Sequence, residues 1–210
     1  MADANEQIVT TPETLVGLYS LGAQSGKSTA AEWLCHQREY CRGRFAATLK
    51  NMVALILAQY GYPLNAVEAH LSGKLKEEPL DKLPGKPTAR KMMQTLGTAW
   101  GRGIIHNDLW AEALRAPIVQ MLGTQPVVID DLRFPNEWAL LKELGGVIIR
   151  IERVQKHSPT LEDLKEEVCE ALLCEHEPDH IISAGSVEEL HNGLEHLFPA
   201  SGYELENVDG

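Results

Sequence analysis

The fold is decided by residues 15–29, which read Leu15-Val16-Gly17-Leu18-Tyr19-Ser20-Leu21-Gly22-Ala23-Gln24-Ser25-Gly26-Lys27-Ser28-Thr29. The part up to Leu21 contains few polar breaks, a pattern that predicts a buried strand. A glycine-containing turn follows, and residues 28–38 then carry helix formers with bulky apolar side chains on one side. The predicted order of strand, turn and helix is the context that a phosphate-binding loop requires.

The turn itself has the composition of a phosphate cradle. Backbone N–H groups of such a loop, together with the helix N-terminus, surround phosphates with partial positive charge. Lys27 would reach the β- and γ-phosphates of ATP, and the Ser28 hydroxyl would ligate Mg²⁺. The pattern GxxxxGK(S/T) has glycine where this chain has Leu21, and we expect Gly22 to take over the turn. The predicted ATP contacts are Gly22, Ala23, Gln24, Ser25, Gly26, Lys27, Ser28 and Thr29.

A second acidic segment follows a later predicted strand. The run Val127-Val128-Ile129 precedes Asp130, Asp131 and Arg133, so these charged side chains lie at the carboxyl end of a strand. Ligands of parallel α/β sheets bind at that edge. Either aspartate is a candidate to hold Mg²⁺ or its water shell, and Arg133 is a candidate to neutralise the transferring phosphoryl group. The alternative is a solvated loop with a local ion pair.

The rest of the pattern predicts a single α/β domain. A strand at 126–130, a helix at 135–144 and a strand at 147–151 form a βαβ unit, which implies a parallel sheet with helices on both faces. The polar, proline-rich segment 72–87 is predicted to be an exposed, mobile excursion. Thr88 is expected to cap the next helix, on which Arg90 and Gln94 share one face.

Composition and charge limit the kind of partner. The formal net charge is −11 at pH 7, which disfavours a protein whose affinity comes from neutralising a nucleic-acid backbone. No apolar stretch approaches the roughly 20 residues that span a bilayer, and the first eleven residues do not resemble a leader. We therefore expect a cytoplasmic protein, in the host cell if it is phage-encoded. The cysteine spacings fit no disulfide framework and indicate reduced thiols.

Two classes of phosphate-loop protein are disfavoured by motifs. Motor and AAA-type ATPases usually place a glutamate after the strand aspartate, whereas here the order is Asp130-Asp131-Leu132-Arg133. The N/TKxD tetrad that reads guanine in GTPases does not occur in the sequence. A kinase remains, because phosphoryl transfer needs positioning and charge neutralisation around an incoming nucleophile.

Several longer segments resemble the phage-type deoxynucleoside monophosphate kinases. The segments are Phe45-Ala46-Ala47-Thr48-Leu49-Lys50, Arg90-Lys91-Met92-Met93-Gln94-Thr95-Leu96-Gly97-Thr98, Asp131-Leu132-Arg133-Phe134-Pro135-Asn136-Glu137, Gly145 to Arg153, and His180 to Ser186. Together they cover most of residues 15–197. The pattern departs from the family where Ser183 replaces an expected asparagine and where Leu21 replaces the first glycine of the loop.

The resemblance implies a P-loop NTPase three-layer sandwich with a nucleotide-binding insertion at about 45–108, a lid at about 153–178 and a tail at 199–210. It implies transfer of the ATP γ-phosphate to the 5′-phosphate of a deoxynucleotide, with Lys27, Asp131, Arg133 and Arg153 as catalytic residues. Ala184 and Gly185 would lie near the adenine of ATP. A homodimer is also implied. The implied acceptor contacts are Lys50, Arg90, Gln94, Arg102, Trp110 and Arg133.

Four alternatives remain open at this point. A related kinase could act on hydroxymethylated bases within DNA, and the lysines of segment 72–91 give it a locally basic surface. A kinase similar to dephospho-coenzyme-A kinase shares the plan but does not predict the Arg90 and Gln94 pair. A catalytically silent nucleotide-binding module is the third, favoured only by Leu21. Lastly, the Gly-Lys-Ser-Thr tetrad also occurs by chance at ordinary helix N-termini.

Overall fold

The central feature of the computed structural model is a five-stranded parallel sheet. The model describes residues 14–22, 25–154 and 173–199. The strands are β1 Leu15–Tyr19, β2 Cys41–Gly43, β3 Val127–Ile129, β4 Val147–Arg153 and β5 His180–Ala184. The helices are α1 Lys27–Gln37, α2 Ala47–Gln59, α3 Leu64–Leu71, α4 Ala89–Gln94, α5 Leu109–Leu122, α6 Pro135–Glu143 and α7 Val187–Leu197. A π-helical segment, Thr95–Ile105, continues α4 directly.

The strands lie in the order β2-β3-β1-β4-β5, and every neighbouring pair is parallel. In the registers of β3, Ile129 pairs with Gly17 of β1 and with Gly43 of β2. Parallel neighbours cannot be joined by tight hairpins, so each connection crosses a face of the sheet. The carboxyl ends of β1, β2 and β3 consequently meet at one edge, where Ser20, Arg44 and Asp130 follow the strands.

Helices cover both faces of the sheet, because successive side chains of a strand point to opposite sides. Leu15 and Tyr19 of β1 pack with α5 and α6 on one face, while Val16 and Leu18 pack with α1 and α7 on the other. All four of these side chains are fully buried. The predicted three-layer α/β sandwich, with a parallel sheet between two layers of helices, is therefore confirmed.

A smaller hydrophobic core lies away from the sheet, within the segment predicted to be the nucleotide-binding insertion. Its buried members are Val53, Leu57, Val67, Leu71, Leu80, Leu83 and Ala89. Leu80 is fully buried, and its N–H donates to the carbonyl of Pro87 at 2.9 Å. The prediction of an exposed excursion at 72–87 is therefore wrong for Leu80 and Leu83, whose apolar side chains anchor the segment to α2 and α3.

The larger elements agree with the sequence pattern, and the differences have local reasons. The side chain of Thr88 caps α4 as predicted, accepting from the N–H of Lys91 at 3.1 Å. Strands β2 and β5 and helix α3 were not predicted, because β2 is short and β5 is a half-exposed edge strand. Most of the predicted 199–210 tail lies outside the described residues. No helix within the described ranges is long and apolar enough to cross a bilayer.

Candidate active site

The loop after β1 turns directly into α1, as a phosphate-binding loop must. Lys27 is the first residue of α1, and Gly26 precedes it with a φ of 101°. That left-handed conformation favours glycine, and a Cβ at this position would come within 3.1 Å of Leu190 in α7. Gly22, by contrast, has no left-handed φ, and a Cβ there would meet no atom of the described residues within 4 Å. The left-handed conformation in the described part of the loop therefore lies at Gly26, and the expectation that Gly22 takes over the turn stays a prediction.

Ser20 connects the end of β1 to the lysine of the loop. Its hydroxyl donates to the carbonyl of Gly22 at 2.7 Å and accepts a hydrogen bond from the Lys27 ammonium group. Ser20 is only 1% exposed, so this contact holds Lys27 close to the sheet edge. Sequence reasoning missed Ser20, because nothing in the loop motif specifies the residue that precedes it.

The remaining loop residues lie around the N-terminus of α1. The Ser25 hydroxyl is buried and has no hydrogen-bond partner within the described part of the chain. Ser28 is exposed and Thr29 is half-buried, both in the first turn of α1. Ala23 and Gln24 lie outside the described residues. A buried hydroxyl without a partner beside a helix N-terminus is an arrangement suited to an anionic group.

Asp130 joins the loop to the end of β2. Its Oδ2 lies 3.4 Å from the Ser28 hydroxyl and accepts from Arg42, and its Oδ1 accepts from Nε of Arg44 at 3.0 Å. Burial alone would raise the pKa of Asp130, but the hydrogen bonds and charges of the two arginines outweigh it and hold the pKa below its usual range. Asp130 is thus an anion at neutral pH, between the loop that follows β1 and two cations. The sequence reading overlooked Arg42 and Arg44, because it did not identify β2.

Asp131 has different partners from Asp130. Its two carboxylate oxygens accept from the backbone N–H groups of Phe45 and Ala46, each at 3.0 Å. Burial raises the pKa of Asp131, against the lowering effect of those two N–H groups. These bonds fasten the start of α2 to the end of β3. Asp131 therefore has a positioning role in the fold, and its predicted catalytic and metal roles stay predictions.

Arg133 stands at the same edge and keeps its guanidinium available. Its backbone N–H donates to Glu137 at 2.9 Å, but its side chain has no hydrogen bond or ion pair within the described ranges. The charge of Arg133 acts on Asp131 and lowers that carboxyl's pKa, although burial outweighs this effect. A half-buried guanidinium without a partner in the described part of the chain is suited to an anionic ligand.

Lys50 is the centre of a positive region at the N-terminal half of α2. Its ammonium group donates to the Ser72 hydroxyl at 3.1 Å. Burial, followed by the positive charges of Arg44 and Lys76, lowers the pKa of Lys50, against the raising effect of the two aspartates. The fold therefore brings several cations together that are distant in the sequence.

Arg90 and Gln94 lie on α4 as predicted. Nε of Arg90 forms an ion pair with Glu77, and the backbone N–H of Arg90 donates to the carbonyl of Lys76 at 3.2 Å. The Gln94 side chain is exposed. The fold thus leaves Gln94 accessible, while a phosphate that binds Arg90 through Nε would replace Glu77 there.

Arg102 and Trp110 are held inside the protein. The guanidinium of Arg102 donates to Glu137 at 2.6 Å and to the carbonyl of Asn107 at 3.0 Å, and it stacks on the ring of Phe134. The Trp110 indole N–H donates to the carbonyl of Gly97 at 2.8 Å, and Trp110 is only 5% exposed. The geometry does not support direct substrate contact for either residue, because their polar groups are used by the protein itself.

The predicted lid and adenine segments meet at the ends of β4 and β5. Arg153, an exposed residue, pairs in register with Ala184. The Ala184 side chain is buried in the core that includes α1, and the Gly185 N–H donates to Glu189 at 2.7 Å. Most of the predicted lid, residues 155–172, lies outside the described residues. The adenine contacts of Ala184 and Gly185 and the lid role of Arg153 stay predictions.

Comparisons with known proteins agree on a kinase family. A protein of Acanthamoeba polyphaga mimivirus named as a deoxynucleotide monophosphate kinase is 32% identical over 149 residues, which is 66% of this chain and 74% of that protein. The deoxynucleoside-5′-monophosphate kinase of Escherichia phage T5 is 43% identical over 54 residues, 26% of this chain and 21% of that protein.

Among solved structures, dephospho-CoA kinase from Campylobacter jejuni aligns over 89% of this chain and 96% of that chain, with 16% identity and a TM-score of 0.44. The family model described as deoxynucleotide monophosphate kinase matches residues 56–194, more than half of the chain. This match and the mimivirus relative show that the chain belongs to the deoxynucleotide monophosphate kinase family.

Proposed function

We propose that this kinase transfers the γ-phosphate of ATP, with Mg²⁺, to the 5′-phosphate of a deoxynucleoside monophosphate, giving a diphosphate and ADP. One observation carries the proposal. The Ser28 hydroxyl of the phosphate loop lies 3.4 Å from Asp130, in the segment that also carries Arg133. The donor loop and a set of cations therefore share one edge of the sheet, which suits transfer between two phosphates.

The donor side would consist of residues 22–29 and the N-terminus of α1. Lys27 supplies a positive charge, and Ser25 supplies a buried hydroxyl that lacks a partner within the described residues. The backbone N–H groups at the start of α1 add partial positive charge. These groups suit a chain of phosphates better than a neutral ligand, because all of them are donors.

The residues at this edge also fit Mg²⁺, which prefers oxygen ligands. Ser28 and Asp130 would hold the ion or its water shell, and Asp131 is a further candidate. When bound, the ion would neutralise charge on the phosphates of ATP. Of the two aspartates, Asp130 is the one that faces Ser28, at 3.4 Å, although the oxygens of both are already used, those of Asp130 by Arg42 and Arg44 and those of Asp131 by two backbone N–H groups.

The acceptor side would use Lys50, Arg90 and Arg133 for the phosphate. Their charges match a phosphate dianion, and arginine can bind two phosphate oxygens at once. Gln94 is exposed on the same helix as Arg90 and would hydrogen-bond the base. An amide both donates and accepts, so Gln94 alone does not select a base. Arg153, at the end of β4, would approach the phosphates as a lid closes over them.

The proposal is tested by measuring ADP release in a coupled assay. The acceptors are dAMP, dGMP, dCMP, dTMP, hydroxymethylated pyrimidine monophosphates, dephospho-coenzyme A and hydroxymethyluracil-containing DNA. Acceleration by one or more free monophosphates supports the proposal and identifies the base preference. Acceleration by DNA alone or by dephospho-coenzyme A alone would show that this compound, and not a free monophosphate, is the substrate. ATP binding without any acceleration would indicate a catalytically silent nucleotide-binding module.

Lys27→Ala is the matched control for this assay. The substitution removes the ammonium group at the phosphates but no apolar core contact. We expect a folded protein whose acceptor-dependent ADP release is lost. A folded Lys27→Ala protein that retained turnover would show that the phosphate loop is not the site of reaction.

A further inference from the structure

Two arginines at the end of β2 are not explained by the assignments above. Arg42 is the middle residue of β2, and Arg44 follows the strand directly. Both side chains reach across to Asp130, which follows the neighbouring strand β3 and has a side chain that is 4% exposed. One buried carboxylate therefore holds two guanidinium groups at the edge where ligands bind.

The two arginines differ in what remains available. Arg42 contacts two carboxylates, because its Nη2 bonds to Asp130 and its Nη1 lies 3.7 Å from Glu32. Arg44 bonds to Asp130 only through Nε, at 3.0 Å, and its side chain is 35% exposed. Its two terminal nitrogens have no hydrogen-bond partner within the described residues. Arg44 is thus fixed at Nε while the outer part of its planar group is open to a ligand.

The surroundings of Arg44 indicate an anionic ligand. Its charge acts on Lys50, as does that of Lys76, and with burial these charges lower the pKa of Lys50. Among the described residues, the hydrogen-bond partner of the Lys50 ammonium group is the neutral hydroxyl of Ser72. The positive charges of Arg44 and Lys76 repel that of Lys50, and a bound phosphate would relieve that repulsion.

The position of Arg44 also indicates which of the two nucleotides, the phosphate donor or the acceptor, it would bind. Asp130 uses Oδ2 towards Ser28 of the phosphate loop and Oδ1 towards Arg44. The carboxylate therefore stands between the donor loop and Arg44, which lies on the side of Lys50. We propose that Arg44 binds the phosphate of the acceptor nucleotide through its terminal nitrogens, and that Asp130 is the positioning residue that orients it. This inference rests on the proposed function.

The test compares ligands with and without the acceptor phosphate. Binding of each deoxynucleoside monophosphate and of the matching deoxynucleoside is measured by calorimetry for the wild type and for Arg44→Ala. We expect Arg44→Ala to weaken monophosphate binding about tenfold or more, since a charge-assisted hydrogen bond is lost. Deoxynucleoside binding and the Kd for Mg-ATP should change by less than about twofold, because neither ligand places a phosphate at Arg44.

Arg115→Ala is the control, because it removes the same charge from a half-buried arginine of α5 whose partners, Glu112 and Glu143, are exposed. It should leave all three affinities unchanged. An equal loss of deoxynucleoside binding in Arg44→Ala, a loss confined to ATP, or no loss at all would each overturn the inference. A wild type that binds monophosphates through Arg44 but transfers no phosphate would refute the proposed function alone.

The role of Asp130 has its own test, a double-mutant cycle on acceptor KM. Introduced alone, Asp130→Asn should raise the KM for the acceptor. Added to Arg44→Ala, it should raise that KM little further, because the guanidinium that Asp130 orients is already absent. Independent, multiplying effects would show that Asp130 does not act through Arg44. If Arg44→Ala fails to fold, Arg44→Gln replaces it, because the amide can still donate to Asp130 but carries no charge.

Discussion

The segment from Asp131 to Glu137 involves two arginines in different ways: Arg133 belongs to its first half, and Arg102 binds Glu137 at the end of its second half. In the second half, Glu137 is buried and accepts from Arg102, whose side chain is 10% exposed and also stacks on Phe134. In the first half, Arg133 has a half-buried side chain without a partner in the described ranges. The family resemblance groups Arg102 and Arg133 as substrate contacts, whereas the structure separates them. An arginine whose donors are used by the protein holds the fold, and one with unused donors can hold a ligand.

The largest expected effect concerns the second half of the segment. Arg102→Ala leaves Glu137 buried without its cation, and we expect a loss of about 3 kcal/mol in the free energy of unfolding, as for other broken buried pairs. Urea denaturation measures it. Arg115→Ala breaks an exposed network of similar bond lengths and should cost less than about 1 kcal/mol. Equal losses for the two variants would contradict the structural role given to Arg102.

Substitution of Arg133 should have the opposite profile. Arg133→Ala removes a cation from the site but keeps the backbone N–H that bonds to Glu137. We expect kcat/KM for the acceptor to fall about a hundredfold, as when one preorganised donor to a developing charge is removed. The melting temperature should stay within about 2 °C of the wild type. A folded, fully active Arg133→Ala would contradict the assignment of Arg133 to ligand binding and of Arg102 to the fold.

The pH dependence of acceptor binding tests whether the charges of Arg44 and Lys50 interact. Burial and the charges of Arg44 and Lys76 lower the pKa of Lys50 below the ordinary 10.5. A phosphate needs the charged lysine, so acceptor KM should rise as alkaline pH deprotonates Lys50, with a midpoint below 10.5. Arg44→Gln removes a repelling charge and should move that midpoint to higher pH. A midpoint that Arg44→Gln leaves unchanged would show that the two cations do not interact.

The smallest expected effect is on turnover and concerns Lys27, a cation that has a protein partner and is nevertheless assigned to the site. Lys27 donates to Ser20, which also bonds to Gly22. Ser20→Ala removes an orienting hydroxyl and keeps the charge of Lys27, so we expect turnover to fall about fivefold, the effect of one neutral hydrogen bond. The KM for ATP and kcat are measured separately. A loss as large as that of Lys27→Ala would mean that Ser20 does more than orient the lysine.

The strand, turn and helix of residues 15–37 were predictable from the sequence because they are contiguous. The same holds for the helix cap at Thr88 and for the βαβ unit that ends at β4. Each of these features is decided by residues that are neighbours in the chain.

The grouping of Arg42, Arg44 and Lys50 near Asp130 was not predictable, because it depends on contacts between residues that are distant in the sequence. Arg44 and Asp130 are separated by 86 positions, and the two arginines reach Asp130 only because the short strand β2 lies beside β3. The role of Arg102 was hidden for the same reason, since its partner Glu137 is 35 positions away. A motif shows which residue types are present, and the fold decides which of their donors remain unused.

The most direct test of the account follows both phosphates at once. Phosphorus NMR of the protein with Mg-ATP and the deoxynucleoside monophosphate that it prefers would identify every product. We expect ADP and the deoxynucleoside diphosphate in equal amounts, with neither formed by Lys27→Ala. Appearance of ADP with inorganic phosphate but no deoxynucleoside diphosphate would contradict it.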